Sequence, residues 1–113
     1  MPYINAKFSE KLDTGATERL KDAFGKAIEL IPGKTERWLM LNFDSDGKMA
    51  FSGTFGKCAM LEVEIFGAAS DSAYAALTRA LCDAVHAETG IPADRINVKY
   101  AEVCHWGCGG VNF

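Results

Sequence analysis

The chain has 113 residues, room for one domain spanning 1–113 with a real core and too few for two. It is 49% hydrophobic and 24% charged with a net charge of −3, a globular composition that gives no basic field for nucleic acid and no polybasic patch for a membrane. No apolar run nears the roughly 20 residues a spanning helix needs, and no charged-apolar-small signal segment opens the sequence. The expected location is therefore the cytoplasm, with export by a route that needs no signal as the alternative.

The first four residues, Met1-Pro2-Tyr3-Ile4, set up the reading. Proline is small enough for the preceding initiator methionine to be removed. Pro2 would then carry a free secondary amine held in a rigid ring. Residues 3–8 alternate apolar and polar, which is strand period, so that amine would be mounted on a core-anchored strand. Residues 9–15 are polar and turn-like. Ala16, Leu20, Ala23, Phe24, Ala27, Ile28 and Ile31 then recur at three- and four-residue spacing, an amphipathic helix that Pro32-Gly33 stops. The nearly continuous apolar run 38–43 predicts a strand covered on both faces. Asp44-Ser45-Asp46-Gly47 is a tight turn, and residues 49–51 read as a short strand before a glycine-rich loop.

The second half repeats this plan. Residues 58–66 predict a strand in which Leu61, Val63 and Ile65 alternate with Glu62 and Glu64. Ser70-Asp71-Ser72 offers helix N-caps, Tyr74, Leu77, Leu81, Ala84 and Val85 form a second stripe, and Gly90 closes it. Ile96, Val98 and Tyr100 lie on one face of a last strand, before a tail rich in glycine and aromatics. Each half runs strand, helix of about five turns, Ile-Pro, a link with an arginine (Arg37 or Arg95), and strand. The class is α+β: two tandem β-α-β units giving a four-stranded sheet with two helices on one face, related by a pseudo-twofold and with parallel strands inside each unit. The uncovered face is expected to be half apolar, which argues for oligomerisation.

Pro2, Gly33-Lys34, Met49-Ala50-Phe51-Ser52-Gly53, Cys58-Ala59-Met60 and Pro92-Ala93-Asp94-Arg95-Ile96, in this order and at these spacings, resemble the macrophage migration inhibitory factor family of the tautomerase superfamily. The resemblance covers essentially the whole chain. It implies a homotrimer with active sites at subunit interfaces, catalysing keto–enol tautomerisation of phenylpyruvate-like acids without a cofactor. It makes Pro2 the catalytic base and Lys34 the cation for the substrate carboxylate. Ile65 and Phe66 become a strand end that holds substrate partly through its backbone, and Trp38 an aromatic wall. Asn97 and Lys99 stand where family members often have tyrosine and asparagine facing a neighbour's pocket. The family's Cys-x-x-Cys is incomplete, with Leu61 opposite Cys58, which removes the basis for a thiol–disulfide activity.

The chemistry is consistent with that resemblance. A tautomerase needs a base whose pKa lies near working pH, and both burial and a neighbouring lysine push an amine in that direction. Phe66, Trp38, Trp106 and Phe113 can wall a phenyl ring. Plainer roles compete: a solvated loop position for Lys34, core for Trp38 and Phe66, a wet strand face for Glu62 and Glu64. The four cysteines, Cys58, Cys82, Cys104 and Cys108, read as reduced thiols. Cys104, His105 and Cys108 have the wrong spacing for zinc, so no metal is expected. No phosphate loop and no Ser-His-Asp order is visible. Two other readings stand beside the enzyme. One is a cytokine-like protein that binds a host receptor, with the pocket secondary. The other is a structural trimer with a relict pocket. Water addition or dehalogenation would need extra arginines near the proline, for which Arg37 and Arg95 are the candidates.

Overall fold

The computed structural model describes residues 1–113. Strand β1 (Pro2–Phe8) is followed by helix α1 (Thr14–Ala27), strand β2 (Met40–Asp44), strand β3 (Ala59–Phe66), helix α2 (Asp71–Thr89) and strand β4 (Ile96–Val103). The sheet order is β2-β1-β3-β4. β1 runs parallel to β2 and β3 parallel to β4, while β1 and β3 are antiparallel at the centre. Two β-α-β units are therefore joined about a pseudo-twofold, as the repeated pattern predicts. No helix is long and apolar enough to cross a membrane.

The core lies between the sheet and both helices. Ile4, Ala6 and Phe8 of β1 and Leu61, Val63 and Ile65 of β3 meet Leu20, Phe24, Leu77, Leu81 and Val85 of the helices. No polar side chain is buried there, so the layer is held by apolar burial alone. α1 starts where the Asp13 carboxylate accepts from Ala16 N–H at 2.7 Å, and α2 starts on the Ser70 hydroxyl, which accepts from Ala73 N–H at 3.1 Å. α2 ends on Gly90, whose φ of 74° is left-handed.

Three expectations need correcting. α1 has 14 residues, about four turns, because a 3₁₀ turn takes over at Ile28–Leu30 ahead of Pro32. The run 38–43 is not a strand covered on both faces. Glu36–Trp38 forms a 3₁₀ turn, and the strand that follows is a sheet edge whose residues alternate between exposed and half-buried. Residues 49–51 form no strand, only an isolated bridge between Phe51 and Thr54. The open face mixes apolar and charged side chains, as expected, and there Glu62 sits between Lys7 at 3.3 Å and Lys99 at 3.4 Å. Hydrogen bonding to Lys7, aided by Lys99, holds the Glu62 carboxyl below its ordinary range.

Arg95 has a structural duty. Its Nε donates to Lys57 O at 2.7 Å, and its terminal nitrogens donate to Phe51 O and Thr54 O, each at 3.1 Å. Three carbonyls of the 51–57 loop are thus fixed by one guanidinium, whose planar fork suits such a task. Arg95→Ala should loosen this loop by about 1–3 kcal/mol. Amide hydrogen exchange at Phe51 and Thr54, which are hydrogen-bonded to each other, should accelerate while core amides stay protected. Unchanged exchange at both would contradict the clamp.

Candidate active site

The amino terminus enters the sheet directly. Pro2 is the first residue of β1, is buried, and pairs in register with Ile65. One residue on, Phe66 N–H donates to Met1 O at 2.9 Å. The end of β3 is thereby locked to the chain start.

Lys34 reaches the same spot by way of a turn. Gly33 has φ 81°, and Lys34 N–H closes back on Ile31 O at 3.0 Å. Proline followed by a left-handed glycine is the type II pattern, and it places the lysine just past the end of the helical segment. Its Nζ donates to Phe66 O at 2.8 Å. The Phe66 backbone is therefore held at both of its polar groups, by Met1 at its N–H and by Lys34 at its C=O. Burial lowers the pKa of the terminal amine of Met1, and the charge of Lys34 and its hydrogen bond to the amine lower it further.

Beside this cluster opens a cavity of about 970 Å³. Trp38, Leu39, Met40 and Trp106 give it an apolar wall, and Met1 lies at its edge. Tyr3, Arg37, Glu64 and His105 supply polar groups. The Phe66 ring stacks against Phe113 at 6.3 Å, and Phe113 N–H donates to Trp106 O at 3.0 Å. The tail that carries these aromatics is a small hairpin, β5 (Gly107–Cys108) and β6 (Val111–Asn112), turned by Gly109-Gly110 with φ of 63° and 87°.

Of the residues singled out in the sequence, Pro2, Lys34, Ile65 and Phe66 come together. The Ile65 side chain is buried in the core, so only its backbone can face the site. Trp38 is 51% exposed and lines the cavity; it is not core. Asn97 and Lys99 are exposed on β4, in register with Met60 and Glu62, several residues along β3 from Phe66. Within one chain they stand apart from Pro2 and Lys34. Tyr3, Glu64 and His105 were not anticipated as lining residues. Only strand parity placed Tyr3 and Glu64 on the open face, and nothing in the sequence flagged His105 for this cavity. Nowhere do three or more Cys, His, Asp or Glu side chains gather as a metal site would require.

Comparison with known proteins fits this geometry. The family model described as macrophage migration inhibitory factor (MIF) matches residues 1–111. Among solved structures, the chain is similar to Leishmania major MIF2, at 32% identity and a TM-score of 0.94, over 100% of this chain and 97% of that one. It is also similar to the macrophage migration inhibitory factor homologue of Prochlorococcus marinus, at 30% identity and TM-score 0.89, over 98% of each chain. A likeness in fold extends to the macrophage migration inhibitory factor of Toxoplasma gondii, at 22% identity and TM-score 0.92, over 98% of this chain and 99% of that one. Comparison with curated protein sequences gives no match.

Proposed function

Because this chain belongs to the macrophage migration inhibitory factor family, we propose that it is a tautomerase acting on phenylpyruvate-like 2-oxo acids, with Pro2 as general base once Met1 is removed. The observation that carries this reading is the terminal amine. In the unprocessed chain this is the amine of Met1, which lies beside Lys34 at the edge of an aromatic-lined cavity; removal of Met1 would leave the amine on Pro2, at the buried start of β1 and paired with Ile65. In the keto-to-enol direction the neutral Pro2 nitrogen takes a proton from C3 of the substrate. The electron pair moves onto the carbonyl oxygen, which gains a proton from water, and the Pro2 ammonium gives its proton to water to restore the neutral amine. Enol-to-keto conversion reverses the order, and the Pro2 ammonium returns the proton to C3. Lys34 meets the substrate carboxylate, the Phe66 N–H faces the developing enolate oxygen, and Trp38 and Trp106 take the ring.

The working assembly in this reading is a homotrimer. Phe55, Val111 and Phe113 are large apolar side chains left exposed outside the cavity lining, and a neighbouring subunit would cover them. Such a neighbour would also bring Asn97 and Lys99 to a pocket they do not reach in their own chain. Sedimentation at micromolar concentration should show three times the 12.2 kDa chain mass. A stable monomer would contradict the assembly and the completed pocket together. The direct test of the activity is intact mass alongside phenylpyruvate enol–keto kinetics. Loss of Met1 with turnover is the expected pair of results, and a processed trimer without turnover would leave the fold with a relict pocket.

A further inference from the structure

The chain has four arginines, Arg19, Arg37, Arg79 and Arg95. Arg19 is paired with Glu88 at 2.6 Å, Arg95 holds the 51–57 loop, and Arg79 is on the exposed side of α2. Arg37 alone lines the cavity. It forms none of the protein's ion pairs, and its guanidinium lies 5.1 Å over the Trp38 ring. A cation–π contact holds the guanidinium by the ring and consumes none of its N–H groups, which can bind a planar anion in two-point fashion. The cavity does contain one acid, Glu64, but on a different strand. Met40, Tyr3 and Glu64 are in register across β2, β1 and β3, so Glu64 lies two strand spacings, about 10 Å, from the start of β2. Arg37 belongs to the turn that leads into β2.

We infer that Arg37 is the anion-binding residue of this cavity, acting together with Lys34 in the adjoining cluster, and that the preferred substrate is a 2-oxo acid bearing a second carboxylate at its far end. The inference rests on the cavity being the 2-oxo acid site proposed above. The carboxylate next to the keto group goes to Lys34, and the distal one lies on the Trp38 shelf against Arg37. A neutral phenyl ring would fill the aromatic wall and leave the guanidinium unused.

The test is binding, so it does not depend on turnover. Both tryptophans of the chain line the cavity, which makes intrinsic fluorescence a local reporter. The native assembly is titrated with 2-oxoglutarate and with 2-oxopentanoate, which share a five-carbon skeleton and differ only in the distal carboxylate. At low salt 2-oxoglutarate should bind about ten- to a hundredfold tighter, the scale of a charge-assisted contact. The preference should shrink with added salt, disappear in Arg37→Ala, and survive in part in Arg37→Lys. Equal affinities in the wild type, no binding of either acid, or a preference that outlasts Arg37→Ala would overturn the inference. Dissociation of the assembly by Arg37→Ala would also overturn it, because Arg37 would then be an interface residue. Phenylpyruvate kinetics on Pro2 variants judge the tautomerase reading separately, so either can fail without the other.

Discussion

Pro2→Gly is expected to lower phenylpyruvate tautomerisation by about a hundredfold or more, the scale on which a general base contributes, with the fold intact. Glycine still offers an amine, but a primary one on a freely rotating backbone, where the proline ring holds the nitrogen in one direction. The rest of β1 keeps its pairing with β2 and β3, so circular dichroism and sedimentation should match the wild type. Retention of Met1 should have a comparable effect for a different reason. The Pro2 nitrogen would be an amide, whose lone pair is delocalised, and the Met1 carbonyl would occupy the Phe66 N–H, as it does at 2.9 Å. Undiminished turnover by protein shown by mass to keep Met1 would remove Pro2 from the mechanism.

Lys34→Ala should raise KM for phenylpyruvate more than it lowers kcat. A cation on the substrate carboxylate is felt in ground state and transition state alike, and a charge-assisted hydrogen bond of about 1.5–3 kcal/mol corresponds to roughly ten- to a hundredfold in binding. The pH profile provides a second readout. In the chain that keeps Met1, burial lowers the pKa of the Met1 amine most, and Lys34 lowers it further through its charge and a hydrogen bond; the Pro2 amine freed one residue inward is expected to feel the same two influences. Removing Lys34 leaves burial acting alone, so the pKa rises. The amine then needs a higher pH to be neutral, and the acidic limb of kcat/KM should move upward. Lys99 is the control, since a neighbour could present it to the same carboxylate. A double-mutant cycle with Lys99→Ala measures any sharing. If both single variants and the double variant keep the wild-type KM and pH profile, neither lysine serves the site.

Much of the architecture could be read in advance because each half buries its helix by the same pattern. The stripe through Leu20 and Phe24 and the alternation of Leu61, Val63 and Ile65 both report contact with one core, and both segments pack there. The Gly33 and Gly90 stops were legible because each sits at a left-handed backbone position. The misreadings share a physical origin. The run from Trp38 to Met40 is apolar because it walls a cavity and an open sheet face, and a single sequence cannot distinguish that from burial between layers. Arg37 and Arg95 looked equivalent because each lies in the link between an Ile-Pro pair and a strand. Their roles diverge through contacts with residues far away in sequence: Arg95 with carbonyls some forty positions earlier, Arg37 with a cavity whose far wall comes from the tail. The Cys108-Gly109-Gly110-Val111 hairpin did carry a local signal, since two glycines between strand residues favour a tight primed turn, and it went unused.

The pseudo-twofold that relates the two β-α-β units also bears on how many ligands one chain can hold. The rotation that carries β1 onto β3 carries the Pro2 end of the sheet onto the Ala59 end, so a perfect repeat would offer two equivalent pockets. The two ends differ. β3 begins in mid-chain, after Lys57 and Cys58, and its first residue carries an ordinary peptide nitrogen with no basicity. The link that follows α2 passes directly from Pro92 into its 3₁₀ turn at Ala93–Arg95. The link after α1 has Gly33, Lys34 and Thr35 between Pro32 and the turn at Glu36–Trp38, and those three extra residues bring the lysine. At the second end Arg95 is spent on three carbonyls of the 51–57 loop. If the proposed site binds substrate, the expected stoichiometry is one ligand per chain, in a fold whose symmetry alone would have allowed two.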